Sequence, residues 1–180
     1  MKLKDKSFED VVVGAEKEME FSIDTDNHLI FEILRDKMYK DKIGSICREV
    51  ISNCRDANRE AGSKEPVLVS IIEPNKIVYI GHQSICFRDT GLGITPDRMA
   101  DIYVKYAAST KRDTNGQTGG FGLGAKTPFA YNDTFTVITV CDHEGKRMKY
   151  FYTALIDKSR KGKMILFDTQ EVDEPTGTEV

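Results

Sequence analysis

The chain has 180 residues, 39% hydrophobic and 31% charged, with 14 Gly and 5 Pro. That suits one globular domain with a real core and excludes a disulfide-stapled miniprotein, a collagenous chain or a disordered one. Lys and Arg number 26 against 29 Asp and Glu, a formal net charge of -3, so no direct signal points to a domain that coats a nucleic-acid backbone.

Residues 1–27 are polar, and the weak alternation of Glu18-Met-Glu-Phe-Ser-Ile23 predicts an N-terminal extension or edge strand. From Asn27 to Tyr39, Leu29, Ile30, Ile33, Leu34 and Met38 share one helical stripe. A second helix is predicted from about Lys42 to Glu60, because Ile43, Ile46, Cys47, Val50, Ile51, Cys54 and Ala57 recur at helical spacing and Ala61-Gly62 ends it. The period then shortens to that of strands at 66–72, 76–80 and 84–87, with Glu73-Pro-Asn75 as a hairpin turn. Thr95 is a predicted N-cap, with Pro96 at the first position of a helix running through Met99, Ile102, Tyr103 and Tyr106. Ser109–Gly120 is polar, glycine-rich and aperiodic, the pattern of a mobile functional lid. A helix at 123–130 and strands near 134–141, 148–156, 163–167 and 177–180 complete an α+β order, with helices expected on one face of a mostly antiparallel sheet.

The longest apolar runs, such as Ile77-Val-Tyr-Ile80, span about four residues, far short of the ~20 that cross a bilayer. Met1-Lys-Leu-Lys-Asp-Lys6 leads into no apolar stretch, so the expected compartment is the cytoplasm. Cys47, Cys54, Cys86 and Cys141 lack metal-site spacing and read as reduced thiols. Cys141-Asp-His143 resembles a ligand run, yet adjacent side chains on a strand point apart.

Three clusters could carry chemistry. Glu49, Asn53 and Asp56 stand at i, i+4 and i+7 of the second helix, within about 60° of one another at ~100° per residue. A carboxylate and an amide beside a buried face can polarise a water and hold a hydrated Mg2+, although the same residues also describe the solvated border of an amphipathic helix. Asp89-Thr-Gly-Leu-Gly93 sits between a strand and a helix, where Gly91 and Gly93 allow close backbone approach and Asp89 could accept from a ligand amine. A tight turn with an Asx cap explains it equally. Gly116–Lys126 leads several glycines into a helix whose free amides could wrap an anion. Neither nucleotide fingerprint with a fixed glycine spacing fits. Ala125 stands where G-x-x-x-x-G-K-T needs glycine, and Gly122-Leu-Gly124 is followed by Ala, Lys and Thr.

Taken together, Glu-x-x-x-Asn-x-x-Asp-Ala at 49–57, Asp-x-Gly-x-Gly at 89–93, Gly-Gly-Phe-Gly-Leu-Gly at 119–124 and Thr-Gly-Thr-Glu-Val at 176–180 occur in one order. The set resembles the Bergerat ATP-binding fold of the GHKL superfamily, which includes gyrase, the large heat-shock chaperone, histidine kinases and MutL, over about residues 28–180. The resemblance implies a two-layer sandwich, a mostly antiparallel mixed sheet covered on one face by helices, with a mobile ATP lid. It implies ATP and Mg2+ as ligands and Glu49 as general base for the attacking water. Asn53 would hold Mg2+ and Asp56 is a matched position of the nucleotide site, while Asp89 would read the adenine amine with support from Thr178 through water. Gly91, Gly93 and Ile94 would shape the base pocket. Gly119, Gly120, Phe121, Gly122, Leu123 and Gly124 would offer amides to the phosphates, with Lys111 and, more weakly, Lys126 as basic partners.

The chain lacks a phospho-acceptor histidine hairpin, which favours hydrolysis over kinase activity. Arg48–Ala57 and Gly119–Tyr131 look most like the N-terminal domain of phage rIIA lysis-inhibition proteins. That likeness implies host cytoplasm, with membrane association through regions outside this chain. ATPase relatives carry a following domain that supplies a basic residue, so a fragment of a longer protein is expected, with slow turnover and an ATP-linked homodimer in the longer protein. A module that binds ATP without hydrolysis and a pure interaction domain are the competing readings.

Overall fold

The computed structural model describes residues 17–20, 39–73, 83–104, 124–159 and 161–180. The predicted helix at 27–39, apart from Tyr39, the strand at 76–80 and the whole lid at 109–120 with Lys111 lie outside them, as do Gly119, Gly120, Phe121, Gly122 and Leu123.

Helix α1, Lys42–Glu60, begins where the Asp41 carboxylate accepts the Gly44 amide at 3.0 Å, satisfying one of the orphan donors of a first turn. It ends where the Ala61 amide donates to Ala57 O and Gly62 adopts φ +68°, a left-handed conformation open to glycine at no steric cost. Val50 and Cys54 are buried against Phe87, with Ile46, Cys47 and Ile51 packed beside them. Ile43 departs from the predicted stripe and is 49% exposed, because it lies in the first turn beyond that cluster.

The strands are β1 (Lys17–Glu20), β2 (Leu68–Ile72), β3 (Ser84–Arg88), β4 (Thr134–His143), β5 (Lys146–Ile156), β6 (Gly162–Glu171) and β7 (Gly177–Glu179). They form one sheet in the order β1-β6-β5-β4-β7-β3-β2. Every pairing among the described strands is antiparallel, in line with the mostly antiparallel sheet expected. The α+β architecture stands as expected. β4 and β5 turn through Glu144 and Gly145 at φ 51° and 79°, the pair of positive φ values that suits a tight hairpin to strand twist. The core lies between the β4–β6 face and the segments packed on it, where Met99, Phe129, Val137, Tyr152, Ala154 and Met164 are all at 1% exposure or less.

Two segments differ from the predicted α-helices. Thr95 caps Pro96–Arg98 as expected, with its hydroxyl accepting the Arg98 amide, but Met99–Tyr103 continues as a π-helix. The Val104 amide donates to Met99 O, and this wider turn brings positions five apart nearer to one face, so Met99 and Val104 are both buried. Gly124–Ala130 is 3₁₀ rather than α. Pro128 has no N–H to give to the carbonyl four residues back, and the Thr127 hydroxyl takes that Gly124 carbonyl instead, at 2.7 Å. No described helix is long and apolar enough to cross a membrane.

Candidate functional site

The body of α1, the end of β3, the strand β7 and the start of the 3₁₀ segment bring the sequence motifs into one neighbourhood. On α1, Glu49 and Asn53 are half-buried and Asp56 is buried, with Arg59 3.9 Å from its carboxylate. Gly124, the last glycine of the third motif, lies directly on this face. A Cβ built there would stand 2.9 Å from Glu49 Oε2 and 3.4 Å from Asn53 Nδ2. The backbone at Gly124 thus approaches a carboxylate and an amide at a distance that a side chain would block. Tyr39 belongs to the same corner: its hydroxyl is raised in pKa by burial first and then by the Glu49 charge.

Asp89 follows β3 and is 5% exposed. Its Oδ1 accepts the amides of Gly91 and Thr178, each at 2.9 Å, and the Cys54 thiol donates to the same carboxylate. A carboxylate offers about four lone-pair sites, so these three donors leave it room for one more. Burial pushes the Asp89 carboxyl above the usual carboxylate range. The two amides, the thiol and the Arg88 charge pull against that shift. In turn, burial and the Asp89 charge push the Cys54 thiol up to about 12, so it stays protonated as a donor.

The wall of this corner is fixed from β4 and β7. Thr139, fully buried, accepts the Ile94 amide at 2.8 Å, and its hydroxyl lies 3.3 Å from Gly177 O and 3.2 Å from the Thr178 hydroxyl. Gly93 has φ +75°, and a Cβ there would lie 2.1 Å from Val140 O. Only a residue without a side chain fits that approach. Gly91 packs on α1, with its Cβ position 2.8 Å from Ala57 Cβ.

The structure thus brings Glu49, Asn53 and Gly124 together on one side and Asp89, Gly91, Gly93, Ile94 and Thr178 on the other, both against α1. Lys126 is placed differently: it is 1% exposed, its Nζ 5.7 Å from the centroid of the Tyr103 ring. Burial lowers its pKa to about 7. The Cys141-Asp-His143 run separates as strand geometry demands. Cys141 Sγ donates to Ile94 O, Asp142 pairs with Arg147, and His143 Nδ1 bonds the Tyr150 hydroxyl. Among the described residues no group of three or more His, Cys, Asp or Glu gathers as a metal site.

Sequence reasoning missed Thr139, Cys54 and Asn58. Thr139 had a signal, a hydroxyl at the inward position between Val137 and Cys141 on an apolar strand. Cys54 reads only as one more stripe residue, and Asn58 carries no local signal at all.

Comparison with known proteins agrees with this geometry. Residues 43–179 match the profile of the histidine kinase-, DNA gyrase B- and HSP90-like ATPases. The chain is 26% identical over 132 residues to a subunit of the type 2 DNA topoisomerase 6 of Sulfurisphaera tokodaii, covering 71% of this chain and 24% of that one. The ATPase region of Saccharomyces cerevisiae topoisomerase II bound to ICRF-187 (dexrazoxane) superposes with a TM-score of 0.56 at 18% identity, over 76% of this chain and 36% of that one. A second structure of the same yeast region gives 0.54 at 19% identity, over 74% and 35%. The chain therefore spans about a quarter of the curated relative and about a third of the solved ones. With its α+β fold and a profile match over most of its length, this chain belongs to the family of histidine kinase-, DNA gyrase B- and HSP90-like ATPases.

Proposed function

We propose that residues 28–180 form a Mg2+-dependent ATP-binding unit that hydrolyses ATP slowly and acts as a nucleotide-driven conformational or dimerisation switch. The observation that carries this reading is the Asp89 corner, a buried carboxylate held by two amides and a thiol with one acceptor site to spare. An exocyclic amine is a fitting donor for that site, and Thr178 and Thr139 support the corner from beneath. Gly93 and Ile94 shape the adjoining wall.

The phosphate end is supported by the opening at Gly124, where Glu49 and Asn53 meet bare backbone. Asn53 offers an amide oxygen to a hydrated cation, and Glu49 stands within reach to take a proton from an attacking water. Mg2+, when bound, would neutralise phosphate charge and orient the terminal group. Asp56, buried beside Arg59, would hold this face of the helix in place. The lid at 109–120, with Lys111, would close over the phosphates, and Gly119–Leu123 would offer them backbone amides.

The stretches Arg48–Ala57 and Gly119–Tyr131 support a place among rIIA-like phage proteins, where the switch would serve a longer chain in the host cytoplasm. The deciding experiment is calorimetric titration of ATP with Mg2+ into the wild type and Asp89→Asn. Replacing the charged acceptor removes a hydrogen bond to an ionised group, so affinity falls about 10- to 100-fold. Equal affinity in the two proteins would remove Asp89 from base recognition.

A further inference from the structure

Asn58 lies one helical turn beyond Cys54 on α1, is 5% exposed, and uses both ends of its side chain. Its Nδ2 donates to Glu65 O at 2.9 Å, and its Oδ1 accepts the Thr90 amide at 2.8 Å and the Thr90 hydroxyl at 3.2 Å. Its own carbonyl accepts the Ser63 amide at 2.8 Å, and the Ser63 hydroxyl meets the Thr90 hydroxyl at 2.7 Å. The end of α1, the loop through Ser63 and Glu65, and Thr90 are thereby closed into one ring of hydrogen bonds.

Thr90 stands between the two residues that matter most to the Asp89 corner. Asp89 precedes it, and Gly91, which follows, donates its amide to Asp89 Oδ1. Gly91 is pressed onto Ala57, the neighbour of Asn58. Thr90 therefore cannot shift without carrying the Gly91 amide off the carboxylate. Because the donor end of the Asn58 amide is occupied by Glu65, its acceptor end is committed to Thr90. An alanine there would leave the half-buried Thr90 amide without that acceptor.

We propose that Asn58 is a positioning residue for base recognition: through Thr90 it fixes the turn that sets the orientation of the Asp89 carboxylate, and so the preference for a purine that carries an amine at C6 over one that carries an oxo group there. This inference rests on the reading of Asp89 as the base-reading group.

The test uses this chain as wild type, Asn58→Ala, Asn58→Asp and Asp89→Asn, titrated with Mg-ATP and with Mg-GTP. Amide hydrogen exchange at Thr90 and Gly91 is followed in parallel without nucleotide. In Asn58→Ala the affinity for ATP falls about tenfold, the cost of orphaning the Thr90 amide. The ratio of ATP to GTP affinity falls with it, and the two amides exchange at least about tenfold faster than in the wild type. Asn58→Asp keeps an acceptor for Thr90 but loses the amide donor to Glu65, so it melts earlier yet keeps the wild-type ratio. That split separates positioning from a purely structural role, which would lower the melting temperature of both variants and leave the ratio alone. An unchanged ratio in Asn58→Ala, with ATP preference in the wild type and its loss in Asp89→Asn, overturns the inference while the base-reading role stands. If the wild type shows no preference for ATP, the base-reading role fails, and with it the claim about preference. The exchange rates then judge the Asn58 to Thr90 latch by themselves, and unaltered rates overturn that too.

Discussion

The Asp89 corner and the Gly124 side of the site each bury one titratable group next to α1, and they treat it in opposite ways. Asp89 is surrounded by donors: the Gly91 and Thr178 amides, the Cys54 thiol, and a wall tied through Thr139. Lys126, two residues past Gly124, has its ammonium over the Tyr103 ring, and burial alone drives its pKa down to about 7. One region is tied by hydrogen bonds among its own residues. The other joins half-buried polar groups, Glu49 and Asn53, to a bare stretch of backbone. Under the proposed function, recognition would belong to the first region and chemistry to the second, because selectivity rewards preorganised acceptors whereas proton transfer needs a group that still meets water.

The largest effect that would break this division is at Glu49. Glu49→Ala is expected to lower phosphate release by about 10²- to 10⁴-fold, the range of a positioned general base, while ATP affinity stays within about threefold, because the proposed partner of Glu49 is the attacking water and not the nucleotide. Steady-state phosphate release beside calorimetry decides it. A parallel loss of binding and turnover would mean that Glu49 holds the nucleotide rather than activating water.

Next in size is Gly93→Ala, aimed at the fixed wall. The new Cβ would need to occupy a point 2.1 Å from Val140 O at φ +75°, which combines left-handed strain with backbone overlap and costs about 3 kcal/mol. For a chain this long the melting temperature should drop by roughly 10 °C. Gly62→Ala is the control, since it shares a positive φ but has open space around its Cβ position, and its loss should be smaller. Equal losses at the two glycines would show that strain alone matters and that the β4 contact is soft.

These two regions also differ in how far they could be read in the sequence. Glu49, Asn53, Asp89 and Thr178 could be singled out because short motifs with fixed internal spacings occur in one order, and α1 was legible because its apolar period and its Ala61-Gly62 stop agree, whereas its Asp41 cap emerged only from the structure. Non-local bonds carry no such mark. Thr139 meets Ile94 across 45 positions and Asn58 meets Thr90 across 32, and neither spacing leaves a pattern along the chain. Local chemistry misled at 124–130, where an apolar helical period hides what Pro128 and the Thr127 hydroxyl do to the backbone ladder. It misled again at Met99, where burying positions five apart outweighs the ordinary helical turn.

Lys126 gives the third prediction. Its ordinary pKa of 10.5 in the unfolded chain falls to about 7 in the fold. Between those values the unfolded state holds a proton that the native state lacks, so stability rises with pH by up to about 1.4 kcal/mol per unit. Below about pH 7 both states are protonated and this slope vanishes. Lys126→Met keeps the volume and removes the proton, so its urea midpoints across pH 7 to 10 should lack the rise seen in the wild type. Parallel curves would mean that the ammonium keeps its charge on folding, and the contrast with Asp89 would then be one of partners alone.

The smallest effect tests the other buried charge. The Asp89 carboxyl is raised above 3.8 by burial, against the pull of its donors. In the window between that value and its folded pKa the native state binds a proton that the unfolded chain does not. Its contribution to stability is therefore present at low pH and is lost as pH rises through the folded pKa. ATP affinity runs the opposite way, because only the ionised carboxylate keeps an acceptor free for an amine. On acidification the wild type should lose affinity by at most tenfold per pH unit, beginning above the usual carboxylate range. Asp89→Asn should lack this component, while the phosphate groups of the ligand titrate alike in both proteins. Calorimetry on the pair from pH 7 down to pH 5 gives the difference directly. Opposite movement of stability and affinity at one residue would tie the cost of burying Asp89 to its use as an acceptor, whereas matching affinity profiles would show that the corner holds its ligand by shape without calling on the charge.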